Sequence, residues 1–335
     1  MFKKYEMLLF LITFIFGFLS PSFFVLSALE MRLTKEIPTV PSYGIKSENG
    51  NFWSETRFGK DGTIEHFALK NKNGTLLWEK WNTKENWFWI SNDGKTTIGL
   101  KGAGVEGLTS YLTFYNEVGK KRREAEIKGF EGGVFASREN IFFVKTSFRE
   151  IHTFNASGKE LYRIKGSGSI FASSPDGRLA TLEEMGEVKL YRNGVEIASV
   201  SLEEPFAYQL CFSKDGKIIA CITPRNLCLF DSKKLSLVWK KHLSDPCLTY
   251  SSIDISEDEI IASGVSKDEG ENAEESKRYN NGKVLLYAKD GVKVWERDVF
   301  LGGWSIHRPL VKFSPDGKIL FVEGAEKTYI FEKVR

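Results

Sequence analysis

From about residue 29 onwards, apolar and polar residues alternate in short runs, and Gly, Asn or Asp separates the runs. Alternation with a period of two predicts β-strands, and the 3.6-residue period of an amphipathic helix is missing there. One motif recurs between apolar runs: Ser, any residue, then Asp or Glu. It occurs six times, at Ser91-Asn-Asp93, Ser137-Arg-Glu139, Ser174-Pro-Asp176, Ser213-Lys-Asp215, Ser256-Glu-Asp258 and Ser314-Pro-Asp316. Asp and Gly accept the conformations of a tight turn, so each copy predicts a strand, a turn and a strand.

The spacing of these turns predicts the architecture. Successive serines are 46, 37, 39, 43 and 58 residues apart, and the longest interval contains a polar insert, Ser266–Asn281. A second pair of strands follows each turn, and its last strand often carries Trp, as in Trp78, Trp239 and Trp295. Four short strands in a repeat of about 44 residues are typical of a β-propeller blade. We therefore expect an all-β fold, a single β-propeller with four antiparallel strands per blade.

The number of blades follows from how the ring closes. The last repeat supplies three strands, and the alternating segment Glu30–Ile37 can provide the missing outer strand by pairing with that blade. Residues 43–81 then form a first blade, and the six serine turns give six more. Seven blades are favoured, and six are the alternative if Tyr43–Phe58 is not a hairpin. Residues 29–50 are expected to form the closing strand and its lead-in, and residues 51–335 the propeller.

Two sets of residues carry a family resemblance. The Ser-Pro-Asp-Gly turns at Ser174 and Ser314 resemble those of WD-repeat propellers and of periplasmic propellers with Pro-Asp-Gly repeats. The segments Gly74–Trp78 and Gly291–Trp295 are similar to the quinoprotein-like repeat. Because these are turn and packing residues, the resemblance implies the propeller fold alone. The cofactor-binding pattern of quinoprotein dehydrogenases does not map onto this chain, so no cofactor is expected.

The first 28 residues predict the compartment. Lys3 and Lys4 precede an apolar run, and small residues follow at Ser27 and Ala28, as in a secretory signal peptide. The alternative is an uncleaved membrane anchor, because residues 7–28 are long enough to span a bilayer core of about 30 Å. Both interpretations place the propeller outside the cytoplasm, secreted or periplasmic.

Charge narrows the class of partner. The chain has 47 Lys and Arg against 44 Asp and Glu, a net charge of +3. This balance does not favour a nucleic-acid partner. We expect a monomer that contacts a membrane only through an uncleaved N-terminal segment.

The cysteines and histidines are the residues that could form a disulfide or a metal site. All four cysteines lie between positions 211 and 247. Cys221 and Cys228 flank a turn at Thr223–Asn226 and are predicted to lie opposite each other in a hairpin. They are a possible disulfide, because disulfides persist outside the cytoplasm, and free buried thiols are the alternative. The four histidines fall in separate repeats without ligand spacing, so no metal site is predicted.

The candidate binding residues lie in irregular loops. These are the loops between blades and between second and third strands, where function usually sits on a rigid scaffold. Trp304, His307 and Arg308 bring a ring, a titratable group and a cation together, and Trp and Arg often dominate binding energy. Packing of Trp304 under the neighbouring insert is the alternative. Trp87 is a further candidate, as part of an aromatic platform or of inter-blade packing.

Two functional classes fit the sequence. The first is a non-catalytic scaffold that binds another protein or a component of the cell envelope. The second is a propeller enzyme or ligand-binding protein, such as a hydrolase or lyase directed at glycans or lactones, with its site at the channel mouth. No recurring position is expected to place a cluster of Asp, Glu or His at the channel mouth, so no catalytic residue is predicted and the scaffold is favoured.

Overall fold

The computed structural model of the protein is built entirely from strands. It describes residues 29–38, 47, 50–60, 63–102, 109–136, 140–166, 168, 170–183, 185–204, 207–267, 281–300, 309–324 and 327–334. Within these ranges there are 27 strands, arranged in seven antiparallel sheets. The same ranges contain no apolar helix of the length that a bilayer crossing requires. The all-β propeller with seven blades is thus confirmed.

The blades follow one another along the chain. Blade 1 consists of β2 (Phe52–Phe58), β3 (Ile64–Asn71) and β4 (Leu76–Trp81), and blade 2 of β5 (Trp87–Ile90), β6 (Thr97–Lys101), β7 (Thr109–Tyr115) and β8 (Lys121–Lys128). Blade 3 consists of β9 (Phe130–Ala136), β10 (Ile141–Thr146), β11 (Glu150–Phe154) and β12 (Glu160–Lys165). Blade 4 consists of β13 (Ile170–Ser173), β14 (Leu179–Leu182), β15 (Glu187–Arg192) and β16 (Val195–Ser201). Blade 5 consists of β17 (Gln209–Phe212), β18 (Ile218–Ile222), β19 (Asn226–Asp231) and β20 (Ser236–His242). Blade 6 consists of β21 (Leu248–Ile255), β22 (Ile261–Lys267), β23 (Asn281–Tyr287) and β24 (Lys293–Phe300). Blade 7 consists of β25 (Leu310–Phe313), β26 (Ile319–Glu323), β27 (Lys327–Val334) and β1 (Glu30–Pro38). The first strands of blades 3 to 7 contact one another, so they lie innermost and the last strands lie outermost.

Blade 7 is closed by the N-terminal strand, as the sequence predicts. β1 pairs with β27 in an antiparallel register that runs from Glu30 opposite Val334 to Pro38 opposite Lys327. The strand satisfies an edge that would otherwise be free to pair with another chain. One sheet therefore joins the two ends of the described chain.

Blade 1 begins with a turn that the recurring motif did not include. The backbone N–H of Gly50 donates to the carbonyl of Ser47 at 2.9 Å, and the N–H of Phe52 donates to the Ser47 hydroxyl at 3.1 Å. Serine turns of the later blades make the same bonds. The sequence here has Asn49 where most copies have Asp, so a motif that requires an acid misses it. Residues 43–46, where the first strand of the expected Tyr43–Phe58 hairpin would lie, are outside the described residues.

A β-bulge recurs at one place in the outer strand of every blade. In blade 4 the register shifts between Leu190 and Tyr191, so that Ile197 is the extra residue of β16. The other six outer pairs shift at the corresponding position. In three blades the residue after the bulge is the Trp of the repeat, at Trp78, Trp239 and Trp295. The bulge therefore gives a common numbering for all seven outer strands.

The core lies between the blades. Buried apolar side chains form a separate cluster at each boundary from blades 1 and 2 through to blades 6 and 7. Alternation supplies these clusters, because each strand sends every second side chain to one neighbouring blade. The boundary between blades 7 and 1 differs. Among the described residues it holds no such cluster.

Candidate binding face

The meander divides the propeller into two faces. The turns between first and second strands and between third and fourth strands lie on one side, which we call the turn face. The loops between second and third strands and between successive blades lie on the other, the loop face. The irregular loops singled out in the sequence belong to the loop face.

The turn face is built from one repeated hydrogen-bond pattern. In five described turns the Ser hydroxyl donates to Asp Oδ1: Ser91 to Asp93 at 2.7 Å, Ser213 to Asp215 at 2.7 Å, Ser256 to Asp258 at 2.6 Å, Ser314 to Asp316 at 2.6 Å, and Ser174 to Asp176. The same hydroxyl accepts a backbone N–H from the start of the second strand. The Ser137 copy lies outside the described residues. The motif is therefore a structural frame, because its polar groups bind each other.

The carboxylates of this frame are held in their charged form. Burial alone would raise the pKa of four of the five Asp side chains, but hydrogen bonds from neighbouring side chains, the turn Ser among them, and in three of the four from a backbone N–H outweigh it. For Asp316 the bond from Ser314 is the largest influence, and its pKa is also lowered. The pKa of Asp215 falls to about 2. These acids have no free proton to offer near neutral pH, which suits a structural role.

Two cations tie turns of different blades together. Arg178 is almost fully buried and donates from Nη1 to the Ser232 carbonyl at 2.8 Å and from Nη2 to the Gly216 carbonyl at 2.7 Å. It thus joins the turn of blade 4 to blade 5. Lys214 of blade 5 donates through Nζ to the Ser314 carbonyl of blade 7 at 3.2 Å. The turn face is cross-linked across the ring by these contacts.

The loop face carries the exposed aromatic side chains. Among the described residues seven aromatic side chains are exposed, and six stand where a strand meets a loop on this face: Phe58, Trp81, Trp87, Phe148, Tyr208 and Phe300. The exposed aliphatic side chains lie mostly at the opposite ends and at the bulges of the outer strands, for example Val118, Val195 and Val238. Large aromatic rings are the residues that protein interfaces favour. The two faces therefore differ in the kind of surface they offer.

The best-defined part of this face is a ring cluster on blade 1. Arg57, His66 and Trp81 stand in one row across β2, β3 and β4. The His66 ring stacks on Trp81 with centroids 3.9 Å apart, and the Arg57 guanidinium lies 6.0 Å from the centre of the Trp81 ring. Glu79 accepts from His66 Nε2 at 3.1 Å when that nitrogen is protonated. Trp81 remains 54% exposed, so the cluster presents a ring that is already oriented.

Polar contacts hold the loops of blades 3 to 5 in place. Glu183 accepts from the backbone N–H of Gly168 at 2.9 Å and pairs with Arg149 of blade 3 at 3.5 Å. Glu204 accepts from the Thr223 hydroxyl at 2.7 Å and from the Asn226 amide. Burial would raise the pKa of Glu204, but these bonds lower it below its usual value. These carboxylates are engaged in fixing loops rather than poised for proton transfer.

The candidate residues from the sequence have different outcomes. Trp87 lies on the loop face and is 47% exposed, whereas its neighbour Trp89 packs against Phe130 and Phe142 between blades 2 and 3. Trp304, His307 and Arg308 lie outside the described residues, and so does most of the insert Ser266–Asn281. Their role in binding stays a prediction.

Sequence reasoning missed Phe58, Phe148, Tyr208 and Phe300. Each lies within or next to a loop of the loop face, at the end or start of a strand. An aromatic residue at such a junction is a usable signal, because alternation within the strand no longer directs it into a core. The signal needs strand ends that a single sequence does not give.

The two candidate cysteines lie opposite each other, as the hairpin predicted. Cys221 of β18 pairs in register with Cys228 of β19, and both are buried between blades 4 and 5. The four sulfurs are not bonded to one another in the structure. Burial raises the pKa of the Cys228 thiol to about 11 and holds that of Cys221 well above its usual value, so neither is a ready nucleophile. The Cys221–Cys228 disulfide stays a prediction.

In the part of the chain that the structure describes, no three His, Cys, Asp or Glu side chains are grouped so as to hold a metal ion. His152, for example, lies between Glu150 and Glu160 within blade 3, with Nδ1 2.9 Å from Glu160 Oε1. Its contacts link neighbouring strands of one sheet.

Comparison with known proteins reaches the fold. No protein-family model matches the chain, and no curated protein matches it in sequence. Solved structures that resemble it include the β-propeller domain of Cps50 (Swd1) from Myceliophteria thermophila, with a TM-score of 0.59 and 13% identity over 90% of this chain and 99% of that one. The C-terminal WD40 domain of Sif2 has a TM-score of 0.59 and 13% identity over 90% of this chain and 83% of its own. KlHsv2 with loop 6CD replaced by a Gly-Ser linker has a TM-score of 0.60 and 12% identity over 83% of this chain and 87% of its own.

Proposed function

We propose that the protein is a non-catalytic binding scaffold whose protein partner sits on the loop face. The observation that carries the proposal is the segregation of exposed rings: six of seven exposed aromatic side chains among the described residues stand at that face. Rings supply contact area at a low entropic cost, so a face that collects exposed rings suits a binding role. WD40-type propellers as structural neighbours are consistent with this role.

The partner is expected to bury rings and meet cations on this face. Arg57 next to Trp81 places a guanidinium 6.0 Å from the centre of an exposed ring. Arg225 is committed to backbone carbonyls, with its Nη1 2.7 Å from the Asp245 oxygen. A partner surface with apolar side chains and carboxylates suits this arrangement.

A photo-crosslinking amino acid placed on each face tests the proposal. It is introduced at Trp87 or Phe148 on the loop face, and at Val118 or Val195 as exposed positions on the turn face. Crosslinked products formed in the native cells are identified by mass spectrometry. The same product from both loop-face sites and neither control site is expected. The same product from all four sites, or from the turn face alone, would contradict the assignment.

Affinity then measures the contribution of the rings. The double change Trp87→Ala with Phe148→Ala is expected to weaken binding of the crosslinked partner at least tenfold, because buried rings at interfaces often cost more than 1 kcal/mol each when removed. The matched double change Val118→Ala with Val195→Ala is expected to alter affinity less than twofold. Equal losses from the two pairs would remove the loop face as the binding surface.

We further propose that the scaffold works outside the cytoplasm. The support is the basic start, the apolar run and the small residues of positions 1–28. Fusion of residues 1–28 to a reporter enzyme that folds only after export tests it, with Lys3→Glu and Lys4→Glu as a variant that weakens the basic start. N-terminal sequencing of the native protein decides between a cleaved leader and an anchor. A reporter that stays inactive would overturn the proposal.

A further inference from the structure

The outermost strand of each blade presents an open edge, and one of the seven lacks the usual protection. Natural proteins keep such edges from pairing with other chains by placing charges on them, Lys above all. Six of the seven outer strands contain at least one Lys or Arg, whereas β16 contains neither and has Glu196 as its one charged residue. Blade 4 therefore has the least protected edge among the described outer strands.

The common bulge shows where the protection is missing. Ser199 is the second residue after the bulge of β16. The residues at the corresponding place in the other six outer strands are all charged: Glu36, Glu79, Glu124, Arg163, Lys240 and Glu296. An uncharged residue at this one position removes the group that would repel or crowd an added strand. The difference is local to the middle of the edge.

The backbone of β16 is also oriented for pairing. The N–H of Leu202 donates to the carbonyl of Gly186 at 2.8 Å, which continues the ladder to β15. Because alternate residues of an antiparallel strand bond to the same neighbour, Val200 and Ala198 face β15, and Ser199 and Ser201 direct their N–H and C=O groups outward. Ala198 and Val200 pack toward blade 5, while Ile197 is 47% exposed on the other side.

We propose that β16 pairs antiparallel with β16 of a second copy of this chain, about a two-fold axis at Ser199. In this register Ser199 faces its own counterpart, so the outward-directed groups of both strands meet at the centre, and the bulge residue Ile197 lies opposite Ser201. Glu196 then lies opposite Leu202, an apolar residue. The register shifted to centre on Val200 would place Glu196 opposite Glu204, and like charges directly opposed are unfavourable.

The second copy is the occupant that the charge pattern selects. The central stretch Ile197–Ser201 carries no charge, so a copy of itself meets no repulsion there, and the flanking Glu196 and Glu203 each face an apolar residue in the proposed register. The pairing involves one short strand per copy, so the surface that it buries is smaller than the roughly 1,200 Å² of a stable interface. We expect a reversible dimer, which departs from the monomer expected from the sequence. The proposal does not depend on the function of the loop face.

Cysteine substitution tests the register. In full-length protein carrying Cys247→Ser, which removes the exposed native thiol, Ser199→Cys is treated with a short bismaleimide. A covalent dimer is expected, since two copies of position 199 face each other. Ser201→Cys is the matched control on the same strand, and it should give at least fivefold less dimer. Equal yields from both positions, or no dimer from Ser199→Cys, would overturn the register.

Charge restoration tests the dimer without crosslinking. Ser199→Lys places in blade 4 the residue that blade 5 has at Lys240, and it should abolish concentration-dependent association in sedimentation velocity up to several hundred micromolar. Ser236→Lys, on the exposed start of β20, is the matched control and should leave association unchanged. Association that persists in Ser199→Lys would overturn the proposal. The proposal would also be overturned if the unchanged protein were monomeric at every concentration and Ser199→Lys abolished binding of a different protein. The edge of β16 would then be the binding site of that other protein.

Discussion

The boundary between blades 4 and 5 and the boundary between blades 7 and 1 show opposite ways of joining two sheets. At the first, Phe230 and its neighbours form a closed apolar cluster, and Arg178 spans the boundary with hydrogen bonds to Ser232 and Gly216. At the second, Phe321 of blade 7 and Trp81 of blade 1 are 36% and 54% exposed. The described contact there is between the inner turns, where Gly50 approaches Pro315.

The difference shows that sheet closure and boundary closure are separate in this ring. β1 completes the sheet of blade 7 by backbone pairing with β27, and it packs against blade 6 through Met31. That arrangement fixes the N-terminal strand without requiring an apolar contact to blade 1. In repeat proteins, stability is close to a sum of repeat and neighbour contributions. Because the described residues hold no buried apolar cluster between blades 7 and 1, we expect this boundary to be the weakest.

Matched Phe to Ala changes give the largest expected contrast. Phe230→Ala empties a buried site between blades 4 and 5 and is expected to lower the free energy of unfolding by about 3–5 kcal/mol. Phe321→Ala removes a partly exposed ring from the side of blade 7 that faces blade 1, and should cost about 1 kcal/mol or less. Denaturant titration followed by Trp fluorescence measures both. Equal losses would mean that the boundary between blades 7 and 1 is as well packed as the other.

The Arg178 contact gives the next largest effect. Arg178→Met removes the guanidinium donor from the buried Ser232 carbonyl and leaves the Gly216 carbonyl with the Ser232 hydroxyl alone, and it should cost about 2–3 kcal/mol. Lys318→Met is the matched control, since Lys318 holds the same position in the turn of blade 7 but is exposed and lies 3.8 Å from Asp316. Its expected cost is below about 0.5 kcal/mol. A comparable loss in the control would show that the position matters in every blade, and not the contact to blade 5.

The sequence predicted the fold from turns, and the structure explains why it could do so. The Ser and Asp of each turn bind each other and the backbone within a few residues, so their spacing is visible without tertiary information. Closure by Glu30–Ile37 was also predictable, because the last repeat lacks one strand and this alternating segment can supply it. Blade count depended on the turn at Ser47, which the acid-containing motif did not detect.

The turn sequences also indicate why the described residues hold no apolar cluster between blades 7 and 1. The residues one and three places before the serine are apolar in Phe88 and Ile90, and in Val311 and Phe313, and these face the preceding blade. Before Ser47 the same places hold Gly44 and Lys46. The binding face was less predictable, because exposure of Phe148 or Trp87 depends on where strands end and on what neighbouring blades cover. Single-sequence patterns do not contain that information.

Amide hydrogen exchange measures how readily the blades open at each of the two boundaries. Amides of β2 in blade 1 and β25 in blade 7 are expected to exchange roughly tenfold faster than those of β18, because less apolar surface holds their boundary closed. Mass spectrometry of peptides after timed exchange measures the difference. The control is β10, whose blade packs on both sides against buried clusters. Equal protection of β2 and β10 would contradict a weak boundary.

The smallest effect expected is a difference in acid sensitivity between two equivalent turns. Burial would raise the pKa of Asp215, but bonds from Lys217 and Ser213 lower it to about 2 from an ordinary 3.8. Its contribution to stability is therefore present above about pH 4 and is lost as the pH falls through 2. Because the carboxyl is about one-third exposed, we expect about 1 kcal/mol from it at neutral pH. Asp215→Asn should remove this contribution and flatten the decline of the unfolding free energy between pH 4 and 2, whereas Asp316→Asn, at the fully exposed turn of blade 7, should flatten it less. Urea titrations at pH 7, 4 and 2.5 measure the slopes. An equal flattening in both variants would show that the Ser–Asp pair alone sets the acid response and that the bond from Lys217 adds nothing.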